Sequence, residues 1–260
     1  MPELPEIEHL AASLRATVVG RSIVGVRCRQ PKMLNLPPEE FAARARGRIV
    51  AVARRGKSCL LRLEFGSIWL HLGLGGVVAL APEGGANPQL ALVFADGQAL
   101  TVDKTFMGHA HYYDAATDAQ RWAELGVEPL AEEFTPARLG AILARKPKQT
   151  LKALLMDQSL IAGIGNVYSD EILLSARLHP ARPAGSLPAA EVARLHAAVR
   201  AVLTEACAAG GAPEYADVLG RHGGYKMRIH GAKICGNCGG PVAQISSGGR
   251  TAYYCPHCQQ

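Results

Sequence analysis

Two cysteine pairs, Cys235-x2-Cys238 and Cys255-x2-Cys258, stand sixteen residues apart near the C-terminus. Two such knuckles at this separation match a tetrahedral four-thiolate zinc site. Each knuckle bends the chain so that two sulfurs reach one ion, which confines the tail to short strands about a hairpin. No coordination position stays open, so the expected Zn²⁺ is single and structural, held by Cys235, Cys238, Cys255 and Cys258. A disulfide or redox role is a poorer reading of two pairs at zinc spacing. Cys28, Cys59 and Cys207 stand alone and read as ordinary buried thiols in a reducing compartment. Between the pairs, Ser246-Ser247-Gly248-Gly249-Arg250-Thr251 predicts a turn that presents Arg250 outward. Taken by itself, Arg250 would be an ordinary solvated arginine.

The whole chain, at 260 residues, has room for two domains or for one domain plus a small module. Apolar residues make up 48% of the 260, enough for a core, and no apolar run is long enough to cross a membrane. Glu3 and Glu6 lie where a signal peptide would carry basic residues, so a soluble intracellular protein is expected. Ile7, Leu10, Ala11, Leu14 and Val18 share one face of a helix over 5–18. Short alternating or β-branched runs follow at 22–29, 48–54, 58–65, 67–72, 76–80, 89–94, 98–103 and 109–113. Asp96-Gly97 and the Gly84-Gly85 stretch punctuate them. That pattern predicts a β-sandwich or barrel led by one helix, residues 1–125. A linker is expected over 126–134. Helical patterns then occupy 135–144, 147–156, 166–176 and 188–208, within a helical domain at 126–224. The zinc-held hairpin fills 225–260. The fold class is α+β and multidomain.

The chain opens Met1-Pro2-Glu3-Leu4-Pro5-Glu6. Removal of the initiator methionine would expose a secondary amine in a rigid ring. A free α-amino group has a pKa of about 7.7–8.0, so a useful fraction is nucleophilic near neutrality. The iminium such an amine forms has no N–H to lose and acts as an electron sink. On these six residues alone, a simple helix start is the better reading; the rest of the chain reverses it. Arg54-Arg55-Gly56-Lys57-Ser58 is a basic turn that would neutralise phosphates if it faces a groove, with Lys57 able to approach a sugar. His71-Leu72-Gly73-Leu74-Gly75-Gly76 ends a strand in a flexible loop, where Leu74 is either core or an inserting residue. Gly163-Ile164-Gly165-Asn166 joins two helical patterns. It is either an ordinary turn or, through Gly165, Asn166 and the helix-start amides, a phosphate grip. Lys148 and Lys152, one turn apart, would add positive charge there. The formal charge of +6 and pI of about 9.0 suit a polyanionic partner.

Together these residues resemble the Fpg/Nei family of bacterial DNA glycosylases with lyase activity. The likeness runs through Pro2-Glu3-Leu4-Pro5-Glu6, Arg54-Arg55-Gly56-Lys57, His71-Leu72-Gly73 and Leu154–Asp157. It continues through Gly163-Ile164-Gly165-Asn166-Val167-Tyr168, Asp170-Glu171, His179-Pro180 and the zinc hairpin to Gln259. The resemblance implies an N-terminal helix plus β-sandwich, a helix–two-turns–helix domain and a zinc finger. It implies a monomer acting on damaged double-stranded DNA in the bacterial cytoplasm, at the nucleoid, with no cofactor beyond zinc. A damaged nucleotide would be flipped out, Pro2 nitrogen would attack C1′, and the base would depart. Glu3 would handle protons, Glu6 would order the site, and Lys57 would contact DNA beside the lesion. Asn166 and Arg250 would grip flanking phosphates, with β- and then δ-elimination following and Arg250 linked to the second.

The chain departs from the family pattern where lesions are read. Leu74 takes the place of a methionine, and the usual Asp-Pro-Arg-Arg-Phe-Gly becomes Asp103-Lys104-Thr105-Phe106-Met107-Gly108. Thr105 aligns with the arginine that pairs with the orphaned base, and Met107 with the phenylalanine. Gln89 aligns with a phosphate-contacting histidine, and His71 is counted among the DNA contacts. The loop from Gly210 to Tyr225 is short, and Val-Tyr-Gly-Arg before the finger reads Met227-Arg228-Ile229-His230. Weak selection for the opposite base is expected, because a bidentate arginine contact is worth about 1–3 kcal/mol. The expected substrates shift from 8-oxoguanine toward oxidised pyrimidines, ring-opened purines or bulkier adducts. Two competing readings are a non-catalytic zinc protein that binds distorted DNA, and a zinc tail used for protein contacts.

Overall fold

The computed structural model describes residues 1–83, 87–247 and 249–260; the expected Gly84-Gly85 turn and Gly248 fall outside them. The chain forms two compact units, Met1–Glu124 with Gly210–Gly224, and Leu125–Ala209 with Tyr225–Gln260.

In the first unit, α1 (Leu4–Val18) begins with Pro5 in its first turn and Glu6 as its acidic first-turn residue. Both suit an N-terminus, where the ring costs no hydrogen bond and a carboxylate meets the positive end of the dipole. The face predicted from spacing is the buried one: Ile7, Leu10, Ala11, Leu14 and Val18 are almost wholly inaccessible. Eight strands follow: β1 (Ser22–Cys28), β2 (Gly47–Arg55), β3 (Ser58–Leu63), β4 (Gly66–His71), β5 (Val77–Pro82), β6 (Leu90–Phe94), β7 (Gln98–Asp103) and β8 (His109–Tyr113). They pair antiparallel in the order β5-β7-β6-β1-β2-β3-β4-β8. The β1–β2 ladder is only Ser22 with Arg48 and Ile23 with Gly47. The two halves it joins share one core, Leu90, Leu92, Phe94 and Leu100 from one side and Cys59, Leu61, Ile68 and Leu70 from the other. Inward residues recur at every second position, as a pleated strand requires.

Two helices went unpredicted. α2 (Pro38–Arg44) starts with proline and two glutamates, and α3 (Ala115–Glu124) buries Asp118 rather than an apolar stripe. Asp118 accepts from Trp69 Nε1 at 2.6 Å and also pairs with Ser67 and Arg62.

The second unit contains α4 (Pro136–Arg145), α5 (Leu151–Leu155), α6 (Asn166–Ser175), α7 (Ala189–Ala208) and the hairpin β9 (Ala243–Ser247) and β10 (Arg250–Tyr254). Thr135 and Thr150 cap α4 and α5 with their hydroxyls. Residues 126–134 do not form a free linker: Gly126 N–H donates to Gln158 O, Val127 bridges to Ile161, and Phe134 is buried. Glu171 in α6 accepts from the amides of Arg228, Ile229 and His230 at 2.9–3.0 Å. The hold is on backbone, and the side chains here are engaged as well: Arg228 pairs with Glu205, and Ile229 is buried.

The segment 210–224, expected to close the helical domain, belongs to the first unit. Ala212 N–H donates to Glu6 Oε1 at 2.9 Å, and Val218 N–H to Ser13 Oγ at 3.2 Å. Of the lone thiols, Cys59 is buried, its pKa raised by that burial to about 12, whereas Cys28 and Cys207 are only half-buried.

Candidate active site and DNA-contacting surfaces

The N-terminal corner is assembled by α1 and the 210–224 loop. Pro2, Glu3 and Glu6 are all buried. Glu6 Oε2 accepts from Glu3 N–H at 2.8 Å, and its other oxygen holds Ala212 N–H. One carboxylate thus fixes both the start of the helix and the loop against it. Gly211 sits at φ +78°, and a Cβ there would lie 2.5 Å from Glu6 Oε1, so the clamp requires glycine. In the basic turn, Arg54 pairs with Glu8 at 2.9 Å and Arg55 lies over the Trp122 ring. Gly56, at φ +56°, reverses the chain. Burial holds the Met1 terminal amine below its ordinary pKa; Lys57 pushes in the same direction, while Glu3, Glu6 and Glu214 oppose it. Near neutral pH more of the amine is therefore unprotonated than in an exposed terminus. Tyr215 in the loop accepts from that amine at 2.9 Å. Sequence reasoning missed Tyr215, whose sole signal is its place beside the glycine pair 210–211.

A second locus lies at the loops 72–76 and 104–108. Leu74 and Phe106 exchange backbone hydrogen bonds of 2.8 and 2.9 Å. Leu74 is 45% exposed, Phe106 67% and Met107 70%, so the tip is apolar and open. Lys104 and Met107 hold positive φ, 54° and 61°, which non-glycine residues adopt at a cost. Thr105, expected to face DNA, is instead buried: its hydroxyl donates to Leu72 O. Gln89, expected at a phosphate, brackets the same residue, accepting from Thr105 N–H at 2.8 Å and donating to Thr105 O at 3.1 Å. Both brace the tip, whose exposed aromatic is Phe106. His71 on β4 stacks on His109 of β8, centroids 4.9 Å apart and planes 6° from parallel. Its Nδ1 accepts from Gly73 N–H. Burial, then Lys57 and Arg121, lower its pKa to about 4, so any contact it makes is as a neutral donor.

In the second unit, Gly165 is the N-cap of α6 and Asn166 its first residue. The Asn166 Oδ1 is buried without a hydrogen-bond partner among the described residues. Lys148 is exposed between α4 and α5. Lys152 is a correction: it is wholly buried, and its Nζ donates to Asp170 Oδ1 at 2.6 Å, Asn166 O and Ser169 Oγ. Asp170 in turn meets His230 Nδ1 at 2.7 Å. A lysine neutralised this way supports Asn166 and offers no charge to a polyanion. Arg250 opens β10 opposite Ser247 and is exposed, while the Ser247 and Thr150 hydroxyls lie 2.9 Å apart.

The four hairpin sulfurs lie within 4.8 Å of one another. Cys235 and Cys258 are 4.0 Å apart and Cys238 and Cys255 3.5 Å, bracketing the edge of about 3.8 Å that a zinc–thiolate tetrahedron requires. Gly240 N–H points at Cys238 Sγ at 3.4 Å, the knuckle turn expected around a thiolate.

Residues 1–107 match the Formamidopyrimidine-DNA glycosylase N-terminal domain, 125–215 its H2TH domain, and 233–260 the zinc finger found in FPG and IleRS. The formamidopyrimidine-DNA glycosylase of Chloroflexus aggregans is 40% identical, covering 100% of this chain and 98% of that one. That of Geobacillus kaustophilus is 39% identical over the whole of both. A Lactococcus lactis FPG mutant in complex with Fapy-dG-containing DNA superposes with a TM-score of 0.92 at 27% identity, covering both chains fully. The MutM protein of Thermus thermophilus gives 0.88 at 36% identity, covering 99% and 98%. Among the described residues, no helix is long and apolar enough to cross a membrane. With the thiolate tetrahedron in place and all three parts matched in order, the chain belongs to the Fpg family: it is a DNA-binding glycosylase/AP lyase of base excision repair carrying one structural Zn²⁺.

Proposed function

We propose that this enzyme works through its Pro2 amine once Met1 is removed. The amine attacks C1′ of the damaged nucleotide, the base leaves, and the iminium drives β- and then δ-elimination. The observation that supports this most is the burial of Pro2 beside Glu3 and Glu6, with the Glu6 carboxylate holding the Glu3 amide. Glu3 moves the protons, Glu6 keeps the corner in register, and Lys57 contacts DNA beside the lesion. His71 donates from its neutral ring. In the other unit, Gly165, Asn166, Lys148 and Arg250 grip phosphates, and Arg250 assists the second elimination. The enzyme acts as a monomer on damaged duplex DNA in the bacterial cytoplasm, at the nucleoid.

Opposite-base selection is weak, because Leu74, Phe106 and Met107 offer no hydrogen-bond donor and Thr105 is turned inward. Preference shifts from 8-oxoguanine toward oxidised pyrimidines, ring-opened purines and bulkier adducts. Lactococcus lactis Fpg has been seen with an oxidised pyrimidine and with N7-benzyl-Fapy-dG in DNA, so this fold holds such lesions. The test is cleavage of duplexes carrying each lesion opposite each base, by wild type and Pro2→Gly. Wild type should cleave them with little dependence on the opposite base, and Pro2→Gly should lose cleavage while keeping DNA binding. A wild type that binds but never cleaves would instead establish the non-catalytic reading.

A further inference from the structure

We propose that the Tyr215 hydroxyl is a catalytic group of this site, donating a hydrogen bond to the 3′ oxygen that departs in β-elimination. The proposal rests on the Pro2 reading above. Its geometry comes from what Met1 imitates. An amide nitrogen is planar, with partial double-bond character to the carbonyl carbon. A proline iminium is likewise a planar ring nitrogen doubly bonded to carbon. The Met1 carbonyl carbon, attached to Pro2 nitrogen, therefore occupies the place that C1′ takes in the covalent intermediate. Met1 Cα and Met1 nitrogen then stand in for C2′ and C3′ of the opened sugar. Tyr215 Oη lies 2.9 Å from that nitrogen. A hydroxyl there meets the oxygen carried by C3′.

The loop is built to hold this position. Tyr215 N–H donates to Ala212 O at 3.2 Å, and Tyr215 O accepts from Gly223 N–H at 3.1 Å. Ala212 is itself fixed to Glu6. A Cβ on Gly223 would come within 2.3 Å of Gly211 O, so the two sides of the loop touch backbone to backbone. Burial, then Glu6, Glu214 and Glu3, raise the Tyr215 pKa to about 12. The phenol keeps its proton and serves as a donor.

In the step, the C2′–H bond breaks and its proton passes to Glu3. The electron pair forms C1′=C2′ as the iminium nitrogen becomes neutral. The pair then returns: C2′=C3′ forms, C3′–O3′ breaks, and the phosphate leaves with the bonding electrons. Tyr215 stabilises the charge that grows on O3′ and exchanges no proton.

The experiment compares wild type and Tyr215→Phe on abasic-site duplex, measuring the single-turnover elimination rate and the yield of borohydride-trapped adduct. Phenylalanine retains the ring, and an undiminished adduct yield reports an intact corner. The expected result is trapping close to wild type with elimination slowed about 10- to 100-fold, the loss of one hydrogen bond to a developing charge. Unchanged elimination with normal trapping overturns the Tyr215 role and leaves Pro2 standing. Loss of trapping in the variant also overturns it, since the role then lies in forming the adduct. Absence of any adduct in wild type overturns the Pro2 reading and this proposal with it.

Discussion

The N-terminal corner and the 74/106/107 tip belong to the same unit and are built in opposite ways. The corner is polar, buried and held by hydrogen bonds to side chains: Glu6 alone ties Glu3 and Ala212. The tip is apolar and exposed, and its side chains are aimed by backbone, through the Leu74–Phe106 exchange and the positive φ of Lys104 and Met107. A buried polar network tolerates little change, because any lost partner leaves a desolvated group unpaired. Side chains carried on a fixed backbone can be exchanged without disturbing their neighbours. Substitution at the tip thus costs the fold less than substitution at the corner.

If this contrast holds, corner and tip substitutions should fail in different assays. Glu3→Gln should lower single-turnover cleavage by about 10²- to 10⁴-fold, the usual worth of general acid–base catalysis, with DNA affinity retained. Gly211→Ala should lower stability by about 2 kcal/mol or more, because a left-handed alanine costs roughly 1–2 kcal/mol and its Cβ displaces Glu6; thermal melting checks it. Phe106→Ala should leave melting unchanged and weaken lesion-duplex binding by about 1–3 kcal/mol, the worth of one base–aromatic stack; equilibrium titration checks it. The smallest effect concerns the histidine pair beside both loci. His71 and His109 have folded pKa values lowered by burial to about 4 and about 3. An unfolded histidine titrates near 6.5, so the unfolded chain binds more protons over the interval below it. Their contribution to stability should be full above pH 6.5 and drain away as pH falls toward 4. His109→Phe should flatten that slope in melting curves recorded across the range.

Much of the fold could be read in advance because its signals are local. Strand period, the α1 stripe and the cysteine spacing each lie within a few residues, and the eight strands fall where alternation put them. What escaped depends on partners far along the chain. Lys152 reads as a surface cation until Asp170, eighteen residues on, is seen to enclose it. The 210–224 loop reads as the end of a helical domain until Glu6, over two hundred residues away, claims its backbone. The residue that α3 buries is Asp118, whose partners Ser67 and Trp69 lie far upstream. At the N-terminal corner, Pro2, Glu3 and Glu6 are adjacent in sequence and are buried together. Thr105 and Gln89 were expected to face DNA, yet Thr105 bonds to Gln89 and to Leu72, and the exposed aromatic of that loop is Phe106. Tyr215 carried no motif at all.

The central claim is that the nucleophile is the amine of Pro2. The direct measurement is peptide mapping by mass spectrometry of wild-type enzyme trapped with borohydride on abasic-site DNA. The account predicts an N-terminal peptide that begins at Pro2 and carries the sugar on its amine. An adduct on Lys57 or another lysine, or a trapped protein that retains Met1, would contradict it.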